Sequence, residues 1–371
     1  MSITNVGESA YLPSALTCNN AVEPEDFLRR RGVLLSEERH VSNHIPRAGL
    51  CLFPARTTRP EGSPVSALSE LSKLKGKGMG SEARDTKAAM VFLGPWLVGL
   101  VAITLGPMLI SLYLSFTDYN LLQEPNLVGF ENFTRMLEDS RLQNSLKVTF
   151  IYVLVGVPLQ LAVALLIAIV LDRGIRGLPF YRSVFYLPSL LGGSVAVAIL
   201  WKQIFGTTGL VNQFLALVGI EGPGWISDPS TALSTIILLH IWTFGSPMII
   251  FLAGLRQIPH MYYEAAQVDG ASKVTQFFRI TLPLLSPIIF FNLVLQIVGA
   301  FQSFTQAFIV SGGTGGPSDS TMFFTLYLYQ KGFGQFDMGY ASAMAWVLLL
   351  IIGAFTAINF YASKFWVFYD D

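Results

Sequence analysis

Six long apolar stretches follow one another from residue 89 onward, and they constrain the fold of this chain more than any other feature. A helix needs roughly 20 apolar residues to cross the ~30 Å hydrocarbon core of a bilayer, where its own backbone hydrogen bonds replace those with water. The stretches cover residues 89–116, 148–171, 184–205, 232–255, 284–310 and 341–363. Glycine and polar residues interrupt the third and fourth, so their limits are the least sharp. The sequence therefore predicts an all-α, polytopic membrane protein with six transmembrane helices.

The distribution of basic residues predicts how these helices are oriented. Lysine and arginine near the ends of a span are preferentially retained on the cytoplasmic side of the membrane. They concentrate before the first stretch, between the second and third, between the fourth and fifth, and after the sixth. The other three loops hold fewer of them, mixed with aspartate and glutamate. Both termini are therefore predicted to be cytoplasmic, and residues 256–283 are predicted to form a cytoplasmic loop.

Composition narrows the possible partners and cofactors. Hydrophobic residues make up 52% of the chain and charged residues 13%, which is typical of a lipid-embedded protein. The formal net charge is zero and no basic stripe with interleaved aromatic residues is present, so we expect no nucleic-acid partner. The two cysteines, Cys18 and Cys51, have no cysteine or histidine neighbour at a metal-binding spacing. We therefore predict no metal site.

One segment of the cytoplasmic loop has a clear local structure. Residues 261–269 include good helix formers, Glu264 lies in the early turns where a negative charge suits the helix dipole, and Gly270 is a natural C-terminal stop. Alanines give this helix a shallow face, flanked by acidic residues, that a groove in another protein could accept. A second helical segment is expected over residues 273–279, before Pro283 opens the fifth span. Physical reasoning alone leaves two interpretations open: a docking knob, or a hairpin that only connects two spans.

The sequence of this loop resembles a known motif. It contains the triplet Glu264, Ala265 and Ala266, the triplet Asp269, Gly270 and Ala271, and the pair Leu282 and Pro283. This pattern is similar to the signature loop of permease subunits in binding-protein-dependent ATP-binding-cassette (ABC) importers. The resemblance implies that the loop forms a coupling helix, which docks into a cleft of the ATP-binding subunit and contacts it through Glu264.

The resemblance extends over residues 88–368 and points to the carbohydrate-uptake branch, in particular to the first permease of the maltose and glycerol-phosphate type. It implies the type I ABC importer permease fold in its compact six-helix form, surrounded by the lipid of a bacterial plasma membrane. It also implies three partners: a second permease subunit, a dimer of ATP-binding subunits that hold ATP and magnesium, and an extracytoplasmic sugar-binding protein. The chain itself is expected to bind no cofactor and to catalyse no reaction. Its implied function is to translocate a mono-, di- or oligosaccharide or a polyol into the cytoplasm, energised by ATP hydrolysis on the partners.

Residues 1–85 depart from the family pattern, because relatives of this kind usually begin shortly before the first span. One interpretation is an over-extended gene start, for which Met79 would be an ordinary alternative. The other is a disordered cytoplasmic tail, which the serine, proline, arginine and glutamate content would suit. In both cases the permease domain is predicted to cover residues 86–371.

Polar and aromatic residues in the fourth and fifth spans are candidates for a sugar path. A sugar stacks on aromatic faces and hydrogen-bonds to amides and hydroxyls, and such groups are costly in lipid unless they face protein or a cavity. The candidates are Trp242, Phe244, Gly245, Gln296, Phe301, Gln302, Ser303 and Gln306. Gly245 would let a ligand approach the backbone closely, and Gln302 and Gln306, four apart, are expected to share a helix face. Such amides also hold helices together, which is the alternative interpretation. The resemblance favours the path, because in maltose-type permeases the spans on both sides of the coupling loop line it.

The remaining sequence observations concern energy coupling. His240 is a lone histidine in the fourth span, and we expect a neutral ring bonded to a neighbouring helix. The sequence has no Gly-x-x-x-x-Gly-Lys-Ser/Thr phosphate-binding motif and no acidic or basic residue well inside a span. This disfavours both ATP binding by the chain and ion-coupled transport. The competing interpretations are a stand-alone channel or carrier and an intramembrane enzyme, although the spans lack the residue sets that an enzyme needs.

Overall fold

The computed structural model describes residues 89–174 and 176–368. Within these ranges the protein is helical, and an isolated bridge between Thr117 and Leu127 is the single β-type pairing. Both interpretations of residues 1–85, including the alternative start at Met79, fall on residues outside the described ranges and stay predictions.

The helices are numbered α1 to α13 in chain order. They are α1 Ala89–Leu114, α2 Glu131–Glu138, α3 Ser140–Asp172, α4 Leu178–Leu191, α5 Val195–Ile204, α6 Leu210–Leu217, α7 Pro229–Trp242, α8 Gly245–Leu255, α9 His260–Val268, α10 Lys273–Phe301, α11 Thr305–Val310, α12 Phe324–Tyr329 and α13 Met338–Trp366. A π-helical turn widens α1 at Leu100–Leu105, α3 at Tyr152–Gly156 and α10 at Phe277–Thr281.

Six membrane crossings are present if each of two bent helix pairs counts as one. The helices α1, α3, α10 and α13 are each long and apolar enough to cross a bilayer. The pair α4 and α5 and the pair α7 and α8 meet the same test together, with bends of 96° and 43° between their halves. The number of spans thus agrees with the prediction. The third and fourth spans, whose limits are least sharp in the sequence, are the two bent pairs.

The third span, expected over residues 184–205, consists of the two helices α4 and α5. Two glycines follow the end of α4 at Leu191, and α5 starts after Ser194. Ser194 has an extended backbone (φ −82°, ψ 148°), and its hydroxyl accepts a hydrogen bond from the Val197 N–H. Because glycine weakens a helix and serine caps a new one, the chain restarts in another direction. The glycines that interrupt this stretch in the sequence are thus the point at which the helix breaks.

The fifth span starts earlier than the expected residue 284. The Ser272 hydroxyl accepts from the Thr275 N–H and so caps α10, which begins at Lys273. The segment 273–279, expected as a separate helix, is therefore the first part of α10. The π-helical turn of α10 comes directly before Leu282 and Pro283, and the proline lies inside the long helix instead of opening it.

The fifth span also ends before the expected residue 310. Gln302 ends α10, and Phe304 has a clearly non-helical backbone (φ −132°, ψ −55°), so α11 is a separate short helix. This break corrects a second expectation. Gln302 and Gln306 do not share a helix face: Gln302 is exposed, whereas Gln306 is half-buried.

Pro247 explains the bend in the fourth span. Proline has no N–H for the carbonyl four residues earlier, and its ring displaces that carbonyl from the helix. For Pro247 the displaced carbonyl is that of Thr243, which lies between the end of α7 at Trp242 and the start of α8 at Gly245. The bend of 43° is located at this point.

The helix α3 is central to the packing. It contacts α7, α8 and α10, and its almost fully buried residues include Tyr152, Val157 and Gln160. The helix α10 also packs against α13. The most apolar part of α1 has none of its residues buried, although α1 contacts α13. Such an apolar, uncovered helix requires lipid or another membrane subunit around it.

The connections between spans lie at two faces of the bundle. The loop face carries α9 and the ends of α3 and α8, and the basic residues predict that it is cytoplasmic. The opposite face carries α2, α6 and α12. Ion pairs between Arg135 and Asp337 (2.9 Å) and between Arg141 and Asp319 (2.8 Å) join distant segments there.

Candidate functional site

The helix α9 on the loop face ends where the sequence predicts. Gly270 has a left-handed backbone (φ 75°), which glycine adopts without a Cβ penalty. The Ala271 N–H donates to the Ala266 carbonyl (2.9 Å), and the Gly270 N–H donates to the Gln267 carbonyl (3.0 Å). These are the two bonds of a Schellman motif. The prediction of a helix stopped by Gly270 is confirmed.

Two side-chain contacts fix α9 to the beginning of α10. The hydroxyls of Tyr263 and Thr281 are hydrogen-bonded (2.9 Å), and Gln276 Nε2 donates to the Ala271 carbonyl (3.1 Å). Thr281 lies in the π-helical turn of α10. Because α8 ends at Leu255, just before α9, the short helix is connected directly to both the fourth and the fifth spans.

The exposed side of α9 combines acidic and apolar groups. Glu264, Ala265 and Asp269 are exposed. The half-buried members of the motif are Ala266, Ala271, Leu282 and Pro283. The exposed apolar side chains nearby are Met261, Val268, Val274 and Phe278. Val268 is the most exposed of these, at 89%. Because apolar side chains on a protein surface often mark a contact with another protein, we interpret this side of α9 as a contact surface.

The break in the fourth span is supported by a side chain from the second span. Gln160 Nε2 on α3 donates to the His240 carbonyl (3.1 Å), the Thr243 carbonyl (3.1 Å) and Thr243 Oγ1 (3.0 Å). Gln160 is 1% exposed, so these bonds lie inside the bundle. Carbonyls that leave the helix ladder need such donors when no water is available.

The third span supplies a second support for the same break. The Ser189 hydroxyl on α4 donates to the Thr243 carbonyl (2.8 Å) and accepts from the Ser246 N–H (2.8 Å). This close approach requires glycine at position 245, because a Cβ on Gly245 would overlap the Phe185 carbonyl. Gly245 was expected to admit a ligand to the backbone, whereas in the structure the backbone of α4 takes that place.

The break in the fifth span meets the break in the third. Gln306 Nε2 on α11 donates to the Gly192 carbonyl (3.2 Å), and Ser303 Oγ donates to Gln306 Oε1 (3.2 Å). Thr325 Oγ1 donates to the Ser303 carbonyl. A Cβ on Gly192 would overlap the Thr243 side chain, so the breaks in the third and fourth spans also touch. The joint, as we name this meeting of three broken spans, consists of residues 192–194, 243–244 and 302–304.

The other predicted path residues differ in their placement. Trp242 is the last residue of α7 and Phe244 lies in the break of the fourth span; both are half-buried. Gln296 is half-buried in α10, and Gln302 is exposed at its end. Phe301 is 1% exposed and packs against phenylalanines of α3 and α13, with ring centroids 5.5 and 5.3 Å away. In this structure Phe301 therefore belongs to the packing between helices.

Three residues of the joint region were missed from the sequence: Gln160, Ser189 and Thr243. A signal for them exists, because Pro247 leaves the Thr243 carbonyl without a helical partner and a donor from another span must replace it. The choice of Gln160 and Ser189 as donors depends on which helices are neighbours. The His240 ring also differs from expectation: it lies against Tyr152 (centroids 5.1 Å apart), and its buried Nε2 has no hydrogen-bond partner within the described ranges.

A cluster around Asp139 organises the opposite face. Asp139 caps α3 by accepting from the backbone N–H groups of Arg141 and Leu142, and it accepts from Tyr327 OH (2.7 Å) and Tyr340 OH (2.9 Å). Burial would raise the pKa of Asp139, but the tyrosine and backbone hydrogen bonds hold it below its ordinary value. The cluster connects the start of α3 to α12 and α13.

Comparison with known proteins assigns these features to a family. The family described as "Binding-protein-dependent transport system inner membrane component" matches residues 133–364. This is more than half of the 371 residues, and it includes both α9 and the joint. The chain belongs to this family.

Individual relatives agree with the assignment. The chain is 53% identical over 290 residues to "Probable ABC transporter permease protein YesP" of Bacillus subtilis (strain 168), covering 78% of this chain and 94% of the relative. It is 32% identical over 280 residues to "Lactose transport system permease protein LacF" of Rhizobium radiobacter, covering 74% and 93%. The fold is similar to the crystal structure of a bacterial alginate ABC transporter in complex with an alginate pentasaccharide-bound periplasmic protein. That match has a TM-score of 0.64 and 21% identity, and it covers 76% of this chain and 96% of the other.

Membership of the family determines the general class of the protein. It is a multi-pass membrane permease with the all-α fold of ABC importer permeases, and it is the permease component of an ABC sugar importer. Its relatives are transport subunits without catalytic activity, which excludes the intramembrane enzyme. The stand-alone carrier is excluded because the chain is a component of an ABC importer.

Proposed function

We propose that sugar crosses the membrane at the joint, and that ATP hydrolysis on partner subunits, bound at the exposed side of α9, drives the movement. The joint itself carries the proposal. Irregular backbone at membrane depth is tolerated where protein buries it or where it lines a path, and discontinuous helices form the substrate sites of many membrane transporters. Here three spans are broken at one place, and polar side chains from four spans meet there.

The chemistry of the joint fits a neutral sugar. The hydroxyl and amide groups of Ser303 and Gln306 can exchange their mutual hydrogen bond for bonds to sugar hydroxyls, and Trp242 and Phe244 offer aromatic faces beside the break. The residues that form the joint carry no charge. A sugar acid would need a basic partner at this depth, so mono-, di- or oligosaccharides or polyols without charge are the proposed substrates.

The two faces of the bundle fit different partners. The loop face is proposed to be cytoplasmic and to bind a dimer of ATP-binding subunits, which would hold ATP and magnesium. Glu264 and Asp269 beside exposed apolar side chains suit a basic and apolar cleft. An extracytoplasmic sugar-binding protein is proposed at the opposite face. A second permease subunit, together with membrane lipid, would cover exposed span surfaces such as that of α1.

A pair of matched variants tests the docking of the ATP-binding subunits. Glu264→Ala changes the exposed side of α9, and Glu138→Ala changes an exposed glutamate on α2 at the opposite face. After mild-detergent purification from the native membrane, Glu264→Ala should retain less ATP-binding subunit than wild type, and Glu138→Ala should retain the wild-type amount. Equal retention in both variants would contradict docking at α9.

Uptake by the purified complex tests transport and substrate class together. Vesicles containing the complex, the external binding protein and ATP should accumulate neutral oligosaccharides from a panel that also includes uronic-acid oligosaccharides. Accumulation should stop when ATP is omitted. Accumulation without ATP would contradict ATP-driven import, and uptake restricted to the uronic acids would contradict the neutral path.

A further inference from the structure

Two buried polar atoms near the joint have no hydrogen-bond partner within the described ranges: Gln160 Oε1 on α3 and His240 Nε2 on α7. They belong to residues that already contact each other, because Gln160 Nε2 donates to the His240 carbonyl (3.1 Å). Buried polar atoms are seldom left unpaired, since water is not available to replace the missing partner. The hydrogen bonds in the structure therefore do not explain why these two atoms are buried.

The geometry places the two atoms at the same contact between helices. Gly156 precedes Gln160 by one helical turn, so both residues lie on one face of α3. A Cβ on Gly156 would lie 3.3 Å from His240 Cδ2, the ring carbon bonded to Nε2. The histidine ring thus occupies the space that glycine leaves open, directly beside the face that carries Gln160. A carboxamide oxygen accepts and an imidazole Nε2–H donates, so the two atoms are chemically complementary.

The bend at Pro247 is the part of the fourth span that can move at low cost. The Thr243 carbonyl is not in the helix ladder, and its partners are the side chains of Gln160 and Ser189. A change of bend therefore breaks side-chain hydrogen bonds and leaves the α7 and α8 ladders intact. Hinges are usually a few element-terminal residues of this kind. Because α8 leads into α9, such a bend also changes the position of α9 relative to α7.

We infer that the Gln160 side chain stabilises two different bends of this hinge, each through its own hydrogen bonds. We call it a two-position catch. In the first position, the one described here, Nε2 holds the break through His240 and Thr243. In the second position, reached when the bend changes during transport, Gln160 Oε1 accepts a hydrogen bond from His240 Nε2–H. Each conformation then has its own hydrogen bonds, which is the differential interaction that a two-state equilibrium needs. Gln160 and His240 are positioning residues and do not touch the sugar.

The inference rests on the proposed function, because alternation between two bends is useful only in a transport cycle. It makes separate predictions for the two residues. Gln160→Leu removes both positions. His240→Phe keeps the ring packing and the backbone carbonyl, so it removes only the second position. Gln203→Leu is the matched control, because Gln203 is exposed on α5.

The experiment measures spin-label distances in the complete transporter, purified with its partner subunits. Cysteines replace Ala253 near the end of α8 and Phe365 near the end of α13, which are both exposed, after Cys18 and Cys51 have been changed to serine. The helix α8 is ~16 Å long, so a change of ~30° in the bend would move its far end by about 8 Å. Distances are recorded without nucleotide and with ATP and vanadate. Neither condition requires the imported sugar to be known.

Wild type and Gln203→Leu should show one distance at rest and a second with ATP and vanadate. His240→Phe should keep the resting distance and populate the second one roughly threefold to tenfold less, the ratio expected for one buried hydrogen bond. Gln160→Leu should broaden the resting distribution as well. The inference is overturned if His240→Phe reaches the second distance as fully as wild type, as it would if ordered water satisfied both atoms.

A second result would also overturn the catch: a wild-type complex that imports sugar with one unchanged distance in both states. Failure of the proposed function looks different, because then the wild-type complex would neither hydrolyse ATP nor accumulate sugar. Uptake and ATP hydrolysis measured on the same preparation separate the two failures.

Discussion

At the residue scale, Gly270 and Asp139 each determine the structure of one face of the bundle. Gly270 occupies a left-handed backbone that lets α9 end and turn toward α10. Asp139 collects hydrogen bonds from two tyrosines and the start of α3 on the opposite face. Both residues lie outside the joint, so their substitution tests the structure at the two faces of the bundle.

Gly270→Val should displace the end of α9 and weaken binding of the ATP-binding subunit. A left-handed backbone costs a residue with a Cβ about 1–2 kcal/mol, and a β-branched residue is the least suited to it. Co-purification and ATP-driven uptake should both fall. The control is Gly299→Val on α10, where an added Cβ would meet no other atom within 4 Å and the backbone is not left-handed. Equal losses in the two variants would contradict a specific role for the turn.

Asp139→Asn should destabilise the protein at neutral pH, by about 1 kcal/mol once partial exposure is allowed for. The pKa of Asp139 is lower in the folded protein than its ordinary value of 3.8. Its contribution is therefore complete above that value and is lost as the pH falls through the folded pKa. Thermal unfolding in detergent should show the wild-type advantage at pH 7 and its decline as the pH falls below the ordinary carboxyl pKa of 3.8. Glu138→Gln is the neighbouring control, and an advantage that grows as the pH falls would contradict the hydrogen-bonded carboxylate.

At the element scale, the breaks in the spans are the features that matter for transport. Pro247→Ala restores an N–H that can bond to the Thr243 carbonyl in competition with Gln160 and Ser189. The fourth span should become straighter than its 43° bend, with a shifted resting distance between labels at residues 253 and 365 and slower sugar uptake per ATP hydrolysed. Pro287→Ala is the control, because Pro287 lies inside α10 and away from any break. Unchanged distance and coupling in Pro247→Ala would argue against the hinge.

The sequence predicts the elements better than it predicts their ends and interruptions. Six apolar stretches and the stop at Gly270 follow from hydropathy and local conformation alone. The helix start at Lys273 was predicted, but as that of a separate segment; its continuation through Pro283 into the fifth span was not predicted. The break after Phe301 could not be predicted, because Gln302 and Ser303 are compatible with a helix. The bonds from Gln306 to the Gly192 carbonyl and from Thr325 to the Ser303 carbonyl join residues that are distant in the sequence.

Only some residues of the candidate site were predicted from the sequence. Ser303, Gln306 and Gly245 were identified from their residue types. Ser303 and Gln306 are bonded to each other at the joint, whereas Gly245 follows the break in the fourth span and lies against α4. Gln160 and Ser189 were not, although they bond directly to the broken backbone. Local sequence indicates that the fourth span needs donors, but only the packing of α3 and α4 against it determines which residues supply them.

At the scale of the whole molecule, orientation is open to a direct test. If the loop face is cytoplasmic, a membrane-impermeant thiol reagent added to intact cells should label Leu137→Cys on α2 and should not label Val274→Cys at the start of α10. Both positions are exposed in the structure. Disrupting the cells should make residue 274 reactive. Labelling of residue 274 from outside would reverse the predicted orientation.

The central claim for the whole molecule is that sugar passes through the joint. Its most direct test is the rate of thiol labelling at Ser303→Cys in the purified, cysteine-free transporter complex, with and without a sugar that the complex imports. Sugar at ten times its dissociation constant should slow labelling of residue 303 by about tenfold. It should leave Gln203→Cys on α5 unaffected. An unchanged labelling rate at residue 303, in a complex that still imports the same sugar, would contradict passage through the joint.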